Sequence, residues 1–227
     1  MNLEERARGA LDRPSSLSTT SDVTFRTYSG RVFDLVNPTP DMVRIVDVAM
    51  GLANQCRYNG QIGNFYSVAQ HSCEVSIEVQ TRLLAMGRPH LTVLRGAMMG
   101  LLHDAAEAYV GDVISPLKHL FPDFGVIEDR IFDTVLLALD QTWLPDLADL
   151  VDGVDKGAFA QESVELRGAS LSWVANGLKT DLTPWIPTKP IGTPALPFEA
   201  FTMFLTRYNN LAGRLYRIRE EDDASNV

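Results

Sequence analysis

Apolar residues recur at three- and four-residue intervals through most of this chain, the spacing of helices that bury one face, and strand-like alternation is nearly absent. Val43, Val46, Ala49 and Met50 form one such stripe, introduced by Thr39-Pro40-Asp41, in which threonine suits an N-cap and proline the first helical position. A second helix is predicted from Ser67 to Met86, with Val68, His71, Val75 and Val79 on one face. A third runs from Thr92 to Val110. Pro116 and Pro122 interrupt the pattern before a fourth from Val126 to Gln141, and a fifth extends from Leu147 to Asn176, with Gly153 or Gly157 as candidate breaks. The one strand signal is Thr24 to Asp34, which alternates loosely around Ser29-Gly30 and predicts a short hairpin covering the helices. Pro184, Pro187, Pro190, Pro194 and Pro197 mark an irregular connection, after which Phe201, Phe204, Leu205, Tyr208, Leu211 and Leu215 predict a last helix packed on the body.

The expected fold class is therefore all-α with a short N-terminal β-hairpin. The expected organisation is a flexible tail over 1–22, a main domain over 23–180, a proline-rich connection over 181–197, a C-terminal helix over 198–219 and a tail over 220–227. No internal repeat interrupts this order.

The 227 residues, 45% hydrophobic and 22% charged, suffice for a core that needs no cross-links. A fold of this size buries about 70% of the surface of its extended chain. The two cysteines, Cys56 and Cys73, make no framework, and no export or membrane segment is apparent, so a reducing, cytoplasmic setting without membrane contact is expected. A net charge of −9 argues against a nucleic-acid partner, which would call for a basic stripe. A small anion remains an acceptable substrate where a cation and a few basic groups line a pocket.

Candidate chemistry concentrates at His103-Asp104, which close the apolar run Ala97-Met98-Met99-Gly100-Leu101-Leu102. A carboxylate at the end of such a helix needs a compensating cation. His71 also lies on an inward face, so two imidazoles and a carboxylate can converge on a metal ion. The other two histidines, His90 and His119, read as a loop residue and a surface or pocket-rim residue. A further carboxylate would complete the set, and spacing alone leaves Asp149, Asp152 and Asp155 open.

The order H…HD…D, with Gln70-His71-Ser72, Leu102-His103-Asp104-Ala105-Ala106-Glu107, Gly111-Asp112 and a downstream Asp155, resembles the HD-domain metal-dependent phosphohydrolases, and within them the 5′-deoxynucleotidase branch. The similarity covers roughly Gly30 to Thr180, and the pattern HDxxExxxxGD is its specific part. The resemblance implies an HD-domain helical bundle in which His71, His103, Asp104 and Asp155 hold one divalent metal ion (Mn, Co, Zn, Mg or Fe). It implies Glu107 as the acid handling the proton of water, three to four residues beyond the ligands on the same helical face. Asp112 would position water and substrate.

For the substrate side, Arg57 matches an arginine that contacts phosphate, Tyr58 an aromatic that stacks on or walls off sugar and base, and Lys118 is a second candidate phosphate contact with an exposed surface lysine as its alternative. Glu162 would orient a ligand histidine or Arg57. Cys73 and Met98-Met99 read as core filling. Ala105 and the scarcity of histidine argue against a di-iron centre, and Ala108 departs from the HDxxED of alarmone hydrolases.

The expected reaction is hydrolysis of deoxynucleoside 5′-monophosphates to nucleoside and phosphate. The alternatives are release of triphosphate from a deoxynucleoside triphosphate and, in another class, a nucleotide-binding regulatory protein. Members of this branch are often homodimers, so the apolar C-terminal helix is expected either at a dimer interface or in the monomer core.

Overall fold

The computed structural model describes residues 23–187 and 189–225. The expected N-terminal tail lies outside them, as do the last two residues of the expected C-terminal tail. The fold is all-α apart from one hairpin, in which β1 (Thr24–Arg26) pairs antiparallel with β2 (Val32–Asp34) and Phe25 faces Phe33. Gly30 supplies the positive φ, +84°, that the turn requires. The hairpin is pinned to the helices. Asp47, in the first turn of α1 (Ile45–Asn54), accepts hydrogen bonds from the Ser29 backbone N–H at 2.6 Å, the Ser29 hydroxyl at 2.8 Å and the Thr27 hydroxyl at 2.9 Å. Phe33 is fully buried and stacks on Tyr109 with ring centroids 3.9 Å apart.

The helix expected to start at Thr39 starts later. Pro40–Met42 forms a single 3₁₀ turn, Val43 and Arg44 are extended, and only then does α1 begin. The Thr39 hydroxyl bonds to the Asp41 carboxylate at 2.6 Å and so caps no backbone N–H. Val43 is buried in the core from its extended position. The second expected helix is α2 (Val68–Ala85), capped by the Ser67 hydroxyl, which accepts from the Gln70 N–H at 3.1 Å.

The third expected helix is broken. It runs as α3 (His90–Leu102), yields to turns over 103–106, and resumes as the short α4 (Glu107–Val110). Here the backbone bonds span three residues, Ala105 N–H to Leu102 O and Glu107 N–H to Asp104 O, each 2.9 Å. His103 Nδ1 binds the carbonyl of Gly100 at 2.9 Å, occupying an acceptor at the helix end. After α5 (Ser115–Lys118), α6 spans Pro122–Ala138 and α7 Pro145–Glu165.

The expectation of one helix from Leu147 to Asn176 is also corrected. α7 passes unbroken through Gly153 and Gly157, and the chain turns at Gly168, with φ +67°, before α8 (Leu171–Leu178). The two glycines serve packing. A Cβ at Gly153 would lie 2.5 Å from the Trp185 ring, and one at Gly157 would lie 2.1 Å from the Trp185 carbonyl oxygen. Trp185 belongs to the proline-rich connection, which lies along the body as an irregular strap. It is tied down by Arg82 to the Pro184 carbonyl at 2.7 Å, Gln161 to the Lys189 carbonyl at 2.6 Å and Gln70 to the Ala195 N–H at 2.8 Å.

The last helix, α9 (Pro197–Ser225), is longer than expected and continues through most of the segment taken as a tail. Its Phe204, Leu211 and Leu215 are buried in the main core with residues of α1, α2 and α3, so this face completes the monomer. Among the described residues no helix is long and apolar enough to cross a membrane.

Two glycine substitutions should move stability in opposite directions. A Cβ at Gly51 would stand 2.6 Å from the Ala108 carbonyl oxygen, so Gly51→Ala forces α1 away from α4 and should cost about 1–3 kcal/mol. Gly213 sits exposed within α9 with nothing near its missing Cβ, so Gly213→Ala should add up to about 1 kcal/mol. Urea unfolding of both variants checks the pair, and equal effects of the same sign would contradict the packing described.

Candidate functional site

The break after α3 places His103 and Asp104 together. The turns over 103–106 present both side chains toward His71 of α2. His71, wholly buried on α2, meets them there, and its Nε2 lies 3.3 Å from His103 Nε2. Asp104 Oδ2 is 3.2 Å from His103 Nε2 and 3.7 Å from His71 Nε2. From α7, Asp155 Oδ1 comes within 3.0 Å of His71 Nε2 and 3.6 Å of His103 Nε2. The choice left open among the three aspartates is thereby made, because Asp149 and Asp152 are exposed and Asp155 joins the cluster.

The hydrogen bonds on the far side of each ring determine what faces inward. His103 Nδ1 donates to the Gly100 carbonyl, which can only accept, and His71 Nδ1 binds Glu162 Oε1 at 2.6 Å. Both Nε2 atoms therefore turn to each other and to two carboxylates, and neutral rings would present two lone pairs at 3.3 Å. A metal cation between them, or a proton on one ring, resolves that contact. His71, His103 and Asp104 could hold a metal ion. An ion that keeps nitrogen and oxygen donors at about 2.0–2.2 Å separates neighbouring donors by about 3.0–3.6 Å. Two of the separations among these three residues, 3.2 and 3.3 Å, fall in this range and the third, 3.7 Å, lies just beyond it, so His71, His103 and Asp104 fit such an ion.

Charge balance points the same way. Burial disfavours an imidazolium at 103, yet Asp104 and Asp155 hold its pKa well above the ordinary histidine value. His71 is raised too, as Glu162 and Asp155 outweigh burial and Arg57. Burial pushes the Asp155 carboxyl up, but hydrogen bonds from His103 and His71 hold it well below the aspartate range, and Asp104 is lowered in the same manner, chiefly by His103. Without a metal, the cluster takes up protons.

Beside the donors stands Glu107, 7% exposed on α4. Its Oε2 is buried with no hydrogen-bond partner, and Oε1 is 3.6 Å from Lys118 Nζ. Burial, and then Asp104 and Asp112, push its pKa well above the ordinary glutamate value. Asp112 is half-buried and raised by burial as well. A residue not singled out in the sequence positions both: Gln55, at the end of α1, donates from Nε2 to the Glu107 carbonyl at 2.7 Å and accepts at Oε1 from the Asp112 N–H at 2.8 Å. Its partners lie more than fifty positions away, and no local pattern announces them.

Arg57 is buried, with Nε 2.9 Å from Glu162 Oε2 and Nη1 3.7 Å from Asp104 Oδ2. Burial opposes its charge, but Glu162 raises its pKa well above normal. Tyr58 departs from the expected wall for sugar and base. Its hydroxyl donates to Glu162 Oε2 at 2.6 Å, its ring packs beside Phe159 under the Arg167 guanidinium, and its backbone φ is +61°. It braces Glu162, at the cost of a conformation unfavourable to a bulky residue. Lys118 is not a free surface lysine. Its Nζ pairs with Glu128 at 2.7 Å, and both line a cleft of about 340 Å³ that opens from His103, Asp104, Glu107 and Asp155. His90 and His119 lie exposed, outside the cluster.

The proton affinities predict a pH dependence. His103, His71 and Glu107 bind protons more tightly folded than unfolded, so their contribution to stability is complete at low pH and is lost as pH rises through the raised folded values. The thermal midpoint of chelator-treated protein should therefore fall between about pH 6.5 and 8.5. Saturating Zn²⁺ or Mn²⁺ should flatten or reverse that slope, because the ion replaces the protons. Differential scanning fluorimetry across this range, with and without metal, checks both parts, and a midpoint rising with pH in chelated protein would contradict the assignment.

No known family model matches the chain. Over 115 residues, 49% of this chain and 56% of the relative, it is 44% identical to the uncharacterized protein RCAP_rcc00048 of Rhodobacter capsulatus. To the uncharacterized protein YfdR of Escherichia coli (strain K12) it is 31% identical over 189 residues, 82% of this chain and 94% of YfdR. With that identity sustained along nearly the whole of YfdR, the chain belongs to the same family as YfdR.

Proposed function

We infer that this protein is a metal-dependent phosphohydrolase of the HD type, hydrolysing deoxynucleoside 5′-monophosphates to nucleoside and phosphate in the cytoplasm. The observation that carries the reading is the convergence of His71, His103, Asp104 and Asp155 beside the buried, unpartnered carboxyl oxygen of Glu107. A purely structural polar cluster has no use for that last group. The four donors would hold one divalent ion, manganese, cobalt, zinc, magnesium or iron. When bound, such an ion polarises a phosphoryl oxygen and lowers the pKa of water.

The chain's own groups supply the remainder. Glu107, with its raised proton affinity, takes the proton of the attacking water at its free Oε2 and returns it to the departing 5′-oxygen. Gln55 holds the backbone of Glu107 and of Asp112 in place, and Asp112 orients the water. The Arg57 guanidinium, held by Glu162, offsets charge developing on the phosphoryl oxygens, with Lys118 lining the cleft. The two cysteines in the structure are free thiols, in keeping with a reducing compartment.

The test is product identity. Metal-stripped protein is reloaded in turn with Mn²⁺, Co²⁺, Zn²⁺ or Mg²⁺ and offered each ribo- and deoxynucleotide as mono- and triphosphate, with anion-exchange analysis of the products. Free phosphate from deoxynucleoside monophosphates is the expected result. Released triphosphate would make the protein a deoxynucleoside triphosphate triphosphohydrolase, and no turnover with any pair would leave nucleotide binding as its role. In active protein, Glu107→Gln should lower kcat by about 10²–10⁴-fold with metal content unchanged. Arg57→Lys, which gives up the planar fork, should raise KM for the monophosphate.

A further inference from the structure

A second cavity lies at the C-terminal end of α7, and none of the metal donors lines it. Its volume of about 510 Å³ falls within the range of about 300–1,000 Å³ common to small-molecule sites. Three segments build it: Gln61, Ile62 and Gly63 before α2, Leu166 and Arg167 at the end of α7, and Trp173 in the first turn of α8. The turn at Gly168, closed by the Ala169 N–H on the Ser163 carbonyl at 2.9 Å, joins the two helices so that Arg167 and Trp173 line one space. The Ser170 hydroxyl caps α8 by accepting from the Trp173 N–H at 3.3 Å, which fixes the backbone that carries the indole.

This cavity differs in charge from the chain around it. In a protein with 29 acidic and 20 basic residues, its lining holds one arginine and no carboxylate. Trp173 is 62% exposed, whereas its neighbour Val174 is buried with Ala160 and Leu182, so α8 packs through Val174 and leaves the indole to the cavity. Among the described residues the Arg167 guanidinium makes no ion pair or hydrogen bond; it stands over the face of Tyr58, 4.6 Å from the ring centroid. A planar ring can stack on the indole, and an anionic group can take the fork of the guanidinium. The Gln61 side chain, exposed beside them, can donate to or accept from a polar ring edge.

We propose that this cavity binds a planar aromatic anion, with its ring on Trp173 and its phosphate or carboxylate on Arg167. The assignment does not rest on the nucleotidase reading, because no metal donor and no proton-handling group enters it.

The experiment is calorimetric titration of the full chain with metal chelated, so that nothing is turned over. The probes are a deoxynucleoside 5′-monophosphate and indole-3-carboxylate, with the deoxynucleoside and orthophosphate as the separate parts of the first. One of the two ring-and-anion probes should bind about tenfold more tightly than a ring or an anion alone, and Arg167→Gln and Trp173→Ala should each weaken it by about tenfold. Tighter binding of the monophosphate identifies the anion as phosphate, and tighter binding of the carboxylate identifies it as carboxylate. Mn²⁺ affinity is measured in both variants, since Arg167 touches Tyr58 and Tyr58 holds Glu162. Should Arg167→Gln shift that affinity, Trp173→Ala, which has no part in the Glu162 clamp, decides alone. Absence of saturable binding of both probes into the millimolar range would overturn the proposal. Binding that Trp173→Ala leaves unchanged would place the ligand elsewhere and overturn it too.

Discussion

Glu162 holds the site together. The carboxylate is 1% exposed, and each of its oxygens is committed: Oε1 to His71, Oε2 to Arg57 and Tyr58. Burial alone would raise its pKa, but Arg57 and His71 lower it, so it stays charged in the interior. A buried charge of this kind is tolerated only while its partners remain, and removing one partner from such a pair costs about 3–5 kcal/mol. Through this one group, α7 sets the ring orientation of His71 on α2 and the fork of Arg57 in the loop after α1. The strained backbone at Tyr58 becomes intelligible as part of the same clamp.

The second constraint is the interruption of α3. The apolar periodicity suggests a helix continuing to Val110, in which Glu107 would stand one turn beyond both His103 and Asp104. Bonds spanning three residues tighten the chain instead, and Gln55 clamps the short helix that follows at its Glu107 carbonyl and beyond its end at Asp112. Gly51 permits this by letting α1 approach the backbone of Ala108. The positions of His103, Asp104 and Glu107 are therefore set by backbone packing, and the side chains inherit them.

Negative charge dominates what results. Asp104, Asp155, Glu107 and Asp112 crowd around two imidazoles, and the cleft beyond adds further carboxylates. Raised proton affinities at His103, His71 and Glu107 express the same shortage of positive charge that a metal ion would relieve.

Much of this protein was legible in its sequence, because it depends on local periodicity and chemistry. Helical spacing is written in the residues themselves, as are the turn at Ser29-Gly30 and the inward placement of His71. Adjacent His103-Asp104 at the end of an apolar run likewise signals a polar group in need of a cation. Other features came from contacts between segments distant in the chain. Gly153 and Gly157 look like helix breakers until Trp185 is seen filling the space they leave. Thr39 looks like a cap until its hydroxyl is seen bound to Asp41. Asp155 could not be told from Asp149 or Asp152 by spacing, because only the packing of α7 against α2 decides which carboxylate is turned inward. Gln55 and the cleft wall of Glu128 and Asp129 leave no trace in any local pattern. The sequence by itself determined which segments are helical and which residue types can bind a cation; tertiary structure alone decided which of them meet, since a meeting point is set by close packing between segments that no local period describes.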